Sequence, residues 1–128
     1  MAFAMTENEK RDFSMLDQAD IPAVAYSPGQ TIIAEGAPAT EMYLVRKGRV
    51  SIEVNGKRIE EIGQGAIFGE MALIANSART AAVVAIDNCE VVPVDQRLFL
   101  ILIQETPSFA LEVMRALTER LRHMNQYV

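Results

Sequence analysis

Apolar positions along the chain change their spacing twice, from a helical period to strand-like alternation and back again. Residues 6–18 begin near Thr6 and Glu9, which have the spacing of a capping box, and continue with Phe13 and Leu16. An apolar spacing of three or four residues places such side chains on one face of a helix. The pattern therefore predicts a short N-terminal helix over residues 6–18.

The middle of the chain, from Val24 to Val94, consists of short alternating or β-branched runs interrupted by Gly, Pro and Asn. Many short strands with turns at this spacing are typical of a β-sandwich or barrel. Asn55-Gly56 is the strongest hairpin signal, because a type I′ turn requires positive φ at both central residues. The predicted strands are Thr31 to Ala34, Met42 to Arg46, Arg49 to Val54, Lys57 to Ile62, Thr80 to Ile86 and Cys89 to Val94.

The helical period returns at Asp95 and predicts two C-terminal helices over residues 95–126, divided at Thr106-Pro107, where proline favours a new helix start. The second helix carries apolar residues at the alternating spacing of a heptad seam. Such a seam either packs on the sheets or joins a second copy of the chain, and both interpretations stay open. Phe109 and Val113 lie partly off the seam and suit the sheets. The seam residues are Ala110, Met114, Leu117, Leu121, Met124 and Val128.

Composition limits the class of protein. A chain of 128 residues, half of them apolar, can bury one core, so we expect a single domain over residues 1–128. The net charge of −5 argues against DNA binding by this chain alone, because nucleic-acid affinity depends on a basic face. The single cysteine excludes an internal disulfide. With no membrane-length apolar run and no signal-peptide pattern, the sequence predicts a cytoplasmic protein without a membrane partner.

Residues 68–81 are the strongest candidate for chemistry, because they place a glycine turn, an acid and a base close together. Gly69 lets the backbone approach a ligand closely, and the N–H groups of the following turn favour an anion. Arg79 can present its planar fork of donors to two phosphate oxygens. Glu70, which only accepts hydrogen bonds when ionised, suits a sugar hydroxyl. The combination predicts a site for a sugar phosphate.

The same stretch resembles the phosphate-binding cassette of the cyclic nucleotide-binding domain family. That cassette runs Phe-Gly-Glu, apolar residues, a short turn, and then Arg followed by Thr, Ser or Ala and by Ala. Ala78 departs from the pattern, since the family commonly has proline before the arginine. The resemblance covers about residues 22–126. Its other matching segments are Ser27 to Ile32, Glu35-Gly36, Met42 to Val45, Gly48, Val50 and Gly63-Gln64-Gly65.

The resemblance implies a mainly β fold with flanking helices. The expected architecture is a double-stranded β-helix, a jelly-roll-like β-roll of about eight short strands over residues 22–94, with the cassette at 68–81. The N-terminal helix precedes this roll and the two C-terminal helices follow it.

The resemblance also implies a ligand, cAMP or cGMP. Arg79 and backbone N–H groups near Glu70 would take its phosphate, Glu70 its ribose 2′-hydroxyl, and the last helix would cover its base. Thr80 does not decide between the two bases, because family members with threonine there include readers of each. The implied ligand-binding residues are Phe68, Gly69, Glu70, Met71, Ala72, Arg79, Thr80, Ala81, Met124 and Asn125.

These features predict a non-enzymatic sensor with no catalytic residues, cofactor or metal, which signals through its C-terminal helices to a protein partner. A metalloenzyme of the cupin type would need two or three histidines, and the chain has only His123, outside the strands. Two alternatives stay open. The chain is either a scaffold or dimerisation protein with an inherited but empty cassette, or the sensor of a larger channel, kinase or transcription regulator. No helix-turn-helix follows the roll before Val128.

Overall fold

Two four-stranded antiparallel sheets followed by two helices form the described part of the chain. The structure, a computed structural model, describes residues 21–38, 40–70, 73 and 81–125, with the side chains at 120, 121 and 123–125 outside that description. The predicted N-terminal helix lies outside the described residues. The elements are β1 Val24–Tyr26, β2 Thr31–Ile33, β3 Glu41–Lys47, β4 Val50–Val54, β5 Lys57–Ile62, β6 Ile67–Phe68, β7 Ala82–Ala85, β8 Cys89–Asp95, α1 Gln96–Glu105 and α2 Pro107–Asn125.

The strand order confirms the prediction of a mainly β fold with two C-terminal helices. One sheet, which we call the helix-side sheet, has the order β1-β8-β3-β6, and the other, the outer sheet, has the order β2-β7-β4-β5. Six of these strands overlap the runs predicted from the sequence. β1 and β6 were not predicted, because β6 has only two residues and β1, although as long as β2, lacks the continuous β-branched run of Thr31 to Ile33.

The turn between β4 and β5 confirms the predicted hairpin. Asn55 has a φ of 54° and Gly56 a φ of 77°, the two positive values that a type I′ turn requires. Val54 and Lys57 are register partners on either side of it. The turn sets the register of Val54 with Lys57 and of Glu53 with Arg58, and a one-residue shift between Ile52 and Glu53 offsets the rest of the hairpin.

Alternation along β3 divides the apolar interior into two cores. Met42 and Leu44 face the helices, whereas Val45 faces the outer sheet, because successive side chains of a strand point to opposite faces. The helix–sheet core consists of Met42, Leu44, Ile67, Val92, Val94, Leu102, Phe109, Val113 and Ala116. The inter-sheet core consists of Ile33, Val45, Val50, Ile62, Ala66, Phe68, Val83, Ala85, Cys89 and Val91.

Local hydrogen bonds explain where the helices begin and end. The Asp95 carboxylate is the N-cap of α1 and accepts a hydrogen bond from the Leu98 N–H at 2.8 Å. Thr106 caps the other end, since its N–H donates to the Leu102 carbonyl at 2.8 Å. Pro107 then begins α2, as predicted, because proline fits the first position of a helix.

The packing of α2 separates residues that serve the roll from residues that face outward. Phe109 and Val113 are buried in the helix–sheet core, which confirms the prediction that they suit the sheets. Leu117 is partly buried against the same core, so this seam position also packs on the roll. Met114, another seam position, is 55% exposed, and Leu111 is 44% exposed. Of these two seam positions, Leu117 therefore packs on the roll and Met114 is exposed.

Candidate functional site

The candidate site begins where β6 ends. Phe68 is the last residue of β6 and is buried in the inter-sheet core. Gly69 follows with a φ of 77°, a left-handed conformation that residues with a Cβ rarely adopt. The strand thus ends in a sharp turn at Gly69, the residue at which the sequence predicts close approach of the backbone to a ligand. Glu70 follows this turn directly.

Glu70 lies inside the fold despite its charge. Only 1% of its surface is exposed, and it is among the few buried polar residues described. Its carbonyl accepts a hydrogen bond from the Leu73 N–H at 3.1 Å, which closes a turn at the start of the cassette. A carboxylate in such surroundings interacts more strongly with a hydrogen-bond donor than one at the surface, because water competes less. Glu70 therefore has the burial expected of a functional acid rather than of a solvated one.

The cassette joins the two sheets of the roll. It leaves the helix-side sheet after Phe68, on the edge strand β6, and Ala81 directly precedes β7, an inner strand of the outer sheet. β7 is fixed on both sides, by β2 and by β4. Both ends of the cassette are consequently anchored in regular structure, which places Glu70 and Ala81 at the ends of one connection.

Leu73 connects the cassette to the helices. Its side chain is partly buried against the helix–sheet core, to which α1 contributes Leu102 and α2 contributes Phe109 and Val113. A cassette residue and the C-terminal helices thus share one packed cluster. A displacement of Leu73 would therefore change the packing of a core that α1 and α2 also line.

The predicted site residues divide into two groups. The structure describes Phe68, Gly69, Glu70 and Ala81 and brings them to the ends of the cassette, and it places Met124 and Asn125 in the last turn of α2. The side chains of these last two residues lie outside the described part. Four further predicted residues are themselves outside it, namely Met71, Ala72, Arg79 and Thr80.

An aromatic pair beside the site was not predicted from the sequence. The rings of Tyr43 and Phe68 stack with centroids 5.1 Å apart and planes 16° apart. The two residues are register partners in β3 and β6. The alternating pattern of β3 could have indicated that Tyr43 faces inward, because Tyr43 lies on the same face of the strand as Val45, toward the interior of the roll.

Cys89, which could act as a nucleophile by residue type, lies in the core of the roll. Cys89 is 2% exposed and its thiol donates to the Arg49 carbonyl at 3.0 Å. Burial raises the pKa of the Cys89 thiol, which disfavours the nucleophilic thiolate. Cys89 thus belongs to the inter-sheet core. Among residues 21–38, 40–70, 73 and 81–125, no group of three or more His, Cys, Asp or Glu side chains is placed to hold a metal ion.

Neither of the two described helices is both long and apolar enough to cross a membrane.

Comparison with known proteins places the chain in one family. The model of the cyclic nucleotide-binding domain matches residues 23–106, which span the whole roll, the cassette and α1. The cGMP-dependent protein kinase of Plasmodium berghei is 39% identical over 80 residues, which cover 62% of this chain and 9% of the kinase. The chain spans only 8% to 16% of the lengths of five curated relatives, this kinase among them.

Solved structures show the same fold. The catabolite activator protein of Thermus thermophilus superposes with a TM-score of 0.80 at 25% identity, covering 95% of this chain and 58% of that protein. The cAMP-bound PfPKA-R superposes with a TM-score of 0.63, also at 25% identity, covering 82% of this chain and 37% of that protein. The similarity in structure therefore extends over most of the chain.

Proposed function

Since this chain belongs to the cyclic nucleotide-binding domain family, we propose that it is a non-enzymatic sensor that binds a cyclic purine mononucleotide, cAMP or cGMP. The observation that carries the proposal is the buried carboxylate of Glu70 directly after the left-handed turn at Gly69. The similarity to a cGMP-dependent kinase and to a cAMP-bound protein supports this class of ligand and leaves the base open.

Recognition of the ligand divides between two charged side chains. Arg79 takes the cyclic phosphate, together with N–H groups of Glu70, Met71 and Ala72, since its donors match two phosphate oxygens at once. Glu70 accepts a hydrogen bond from the ribose 2′-hydroxyl. Its burial supports this role, because a hydroxyl that reaches a desolvated carboxylate forms a stronger bond than one in water.

Signal output runs through the C-terminal helices. The base is covered by the end of α2, with Met124 and Asn125 as the contacting residues. The packing of Leu73 against the helix–sheet core supplies the link, because the ligand holds the cassette and the same core includes residues of α1 and α2. A ligand that binds one helix arrangement more tightly by about 1–3 kcal/mol shifts the two populations by roughly 5- to 150-fold.

The receiver of the signal is a protein effector. The relatives include a cGMP-dependent protein kinase, and the structural neighbours include a catabolite activator protein and the cAMP-bound PfPKA-R, which supports this kind of output. A homodimer through α2 also stays a prediction, and the exposed Met114 and Leu111 supply apolar surface for it. In either case the regulated element moves with α2.

Changing Glu70 to glutamine tests the assignment of the sugar. Glu70→Gln keeps the size of the side chain and removes its charge, so a charge-assisted hydrogen bond to the 2′-hydroxyl becomes a weaker neutral one. We expect cAMP or cGMP, whichever the wild type binds, to lose about 10- to 100-fold in affinity. The 2′-deoxy form of the same nucleotide should lose less than about threefold, since it lacks the hydroxyl.

Titration calorimetry on both ligands measures this preference directly. Glu105→Gln, at the exposed end of α1, is the matched control and should leave both affinities unchanged. An equal loss for the ribose and deoxyribose ligands in Glu70→Gln would show that Glu70 acts on the fold of the cassette and does not read the sugar.

A further inference from the structure

The stacked pair of Tyr43 and Phe68 lies immediately before the cassette. Phe68 is 3% exposed, Tyr43 is half-buried, and both contact the inter-sheet core. The rings are nearly parallel, with the 5.1 Å centroid separation of a stacked pair. The pair thus fixes the side chain of the last strand residue before the turn at Gly69.

β6 pairs with one neighbouring strand, β3. The strand is two residues long and lies at the edge of the helix-side sheet. Its register with β3 consists of Tyr43 with Phe68 and Leu44 with Ile67. The ends of short edge strands are among the segments that open locally, so side-chain contacts there add to how well the strand is held. The stack is the contact that crosses from β3 to the residue next to Gly69.

The Tyr43 ring is itself held in place. Its hydroxyl donates to the Glu41 carboxylate at 3.1 Å, and both residues belong to β3, two positions apart. β3 is an inner strand, paired with β8 on one side and β6 on the other. A ring fixed at both ends of its side chain offers Phe68 a rigid surface.

We propose that Tyr43 is a positioning residue of the cassette. Its ring holds Phe68, so that the left-handed turn at Gly69 directs Glu70 toward the ligand. Without the stack the end of β6 loosens, and the ligand must order the cassette as it binds, which lowers affinity. The effect on ligand affinity rests on the proposed function, whereas the effect on the order of the cassette does not.

The test compares Tyr43→Leu with a matched variant at the far edge of the same sheet. Tyr26, in β1, is also half-buried against the inter-sheet core, so Tyr26→Leu removes the same side chain from the same core at a distance from the cassette. Tyr43→Phe keeps the ring and removes only the hydroxyl. Amide hydrogen exchange of the ligand-free proteins is the first readout, and titration with cAMP and cGMP is the second.

We expect Tyr43→Leu to speed exchange of the Leu73 amide, which donates to the Glu70 carbonyl, by about tenfold relative to the amides of β8. The nucleotide dissociation constant should rise by about three- to tenfold, the equivalent of one lost aromatic contact. Tyr26→Leu and Tyr43→Phe should keep both quantities within about twofold of wild type. The β8 amides report global stability and separate a local effect from a general one.

Two results would overturn the proposal. One is unchanged Leu73 exchange in Tyr43→Leu, and the other is an equal change in Tyr26→Leu, which would make Tyr43 an ordinary core residue. A wild-type protein that binds neither nucleotide would refute the proposed function instead. The exchange comparison would still decide whether Tyr43 orders the cassette.

Discussion

Changing Arg79 to leucine is expected to weaken binding of cAMP or cGMP by about 3 kcal/mol or more, at least a hundredfold. In the proposed site the guanidinium would supply two charge-assisted hydrogen bonds to the phosphate, and leucine would supply none. The free energy of unfolding should change little, because the proposed role of the charge is to bind the ligand. Calorimetric titration together with urea unfolding separates the two effects.

Two further arginine variants sharpen this test. Arg79→Lys keeps the charge and loses the planar fork, so its affinity should fall between those of wild type and Arg79→Leu. Arg97→Leu removes an exposed arginine from α1 and should bind as wild type does. If Arg79→Leu retained wild-type affinity, the phosphate would have to be held by other groups.

Changing Phe109 to alanine should produce the largest loss of stability. The side chain is fully buried in the helix–sheet core and meets Phe99 edge to face, with ring centroids 5.5 Å apart and planes at 70°. Truncation removes that contact and leaves a cavity between α2 and the sheet. We expect the free energy of unfolding, measured in urea, to fall by about 3–5 kcal/mol.

The control for this prediction is on the same helix. Leu111 is 44% exposed, so Leu111→Ala should lower the free energy of unfolding by less than about 1 kcal/mol. Phe109→Leu keeps much of the volume and should give an intermediate loss, which guards against a variant too unstable to purify. Equal effects of Phe109→Ala and Leu111→Ala would contradict the placement of α2 on the roll.

Most of the fold follows from local patterns in the sequence. Alternation predicts β3 because its two faces meet different apolar cores, and Asn55-Gly56 predicts the following hairpin because few other residue pairs accept two positive φ values. Asp95 and Pro107 mark the helix starts through capping and fixed φ. These signals involve neighbours in sequence, which is why they are readable without the structure.

The missed features depend on contacts between distant segments. β1 and β6 carry weak local signals, and each pairs with an inner strand, β8 or β3. The stacking of Tyr43 on Phe68 has the same origin. In the cassette, the acid at Glu70 was identified from its motif, but its nearly complete burial follows from the closure of the roll around it. Burial is a property of the assembled fold.

The helical seam shows a different limit of sequence patterns. Heptad spacing on α2 fits both packing on the sheets and contact with a second chain, because both uses need an apolar stripe. Leu117 packs against the helix–sheet core, whereas Met114 faces outward. Which seam residues pack on the sheets and which face outward therefore depends on where the roll lies against the helix.

Binding of a cyclic nucleotide by the wild-type chain is the central claim, and isothermal titration with cAMP, cGMP and 5′-AMP tests it most directly. The last ligand has the base and sugar of cAMP with an open phosphate. We predict binding of at least one cyclic nucleotide at a ratio of one per chain, with negligible heat from 5′-AMP. No heat with either cyclic nucleotide would contradict the sensor account and favour a scaffold whose cassette is empty.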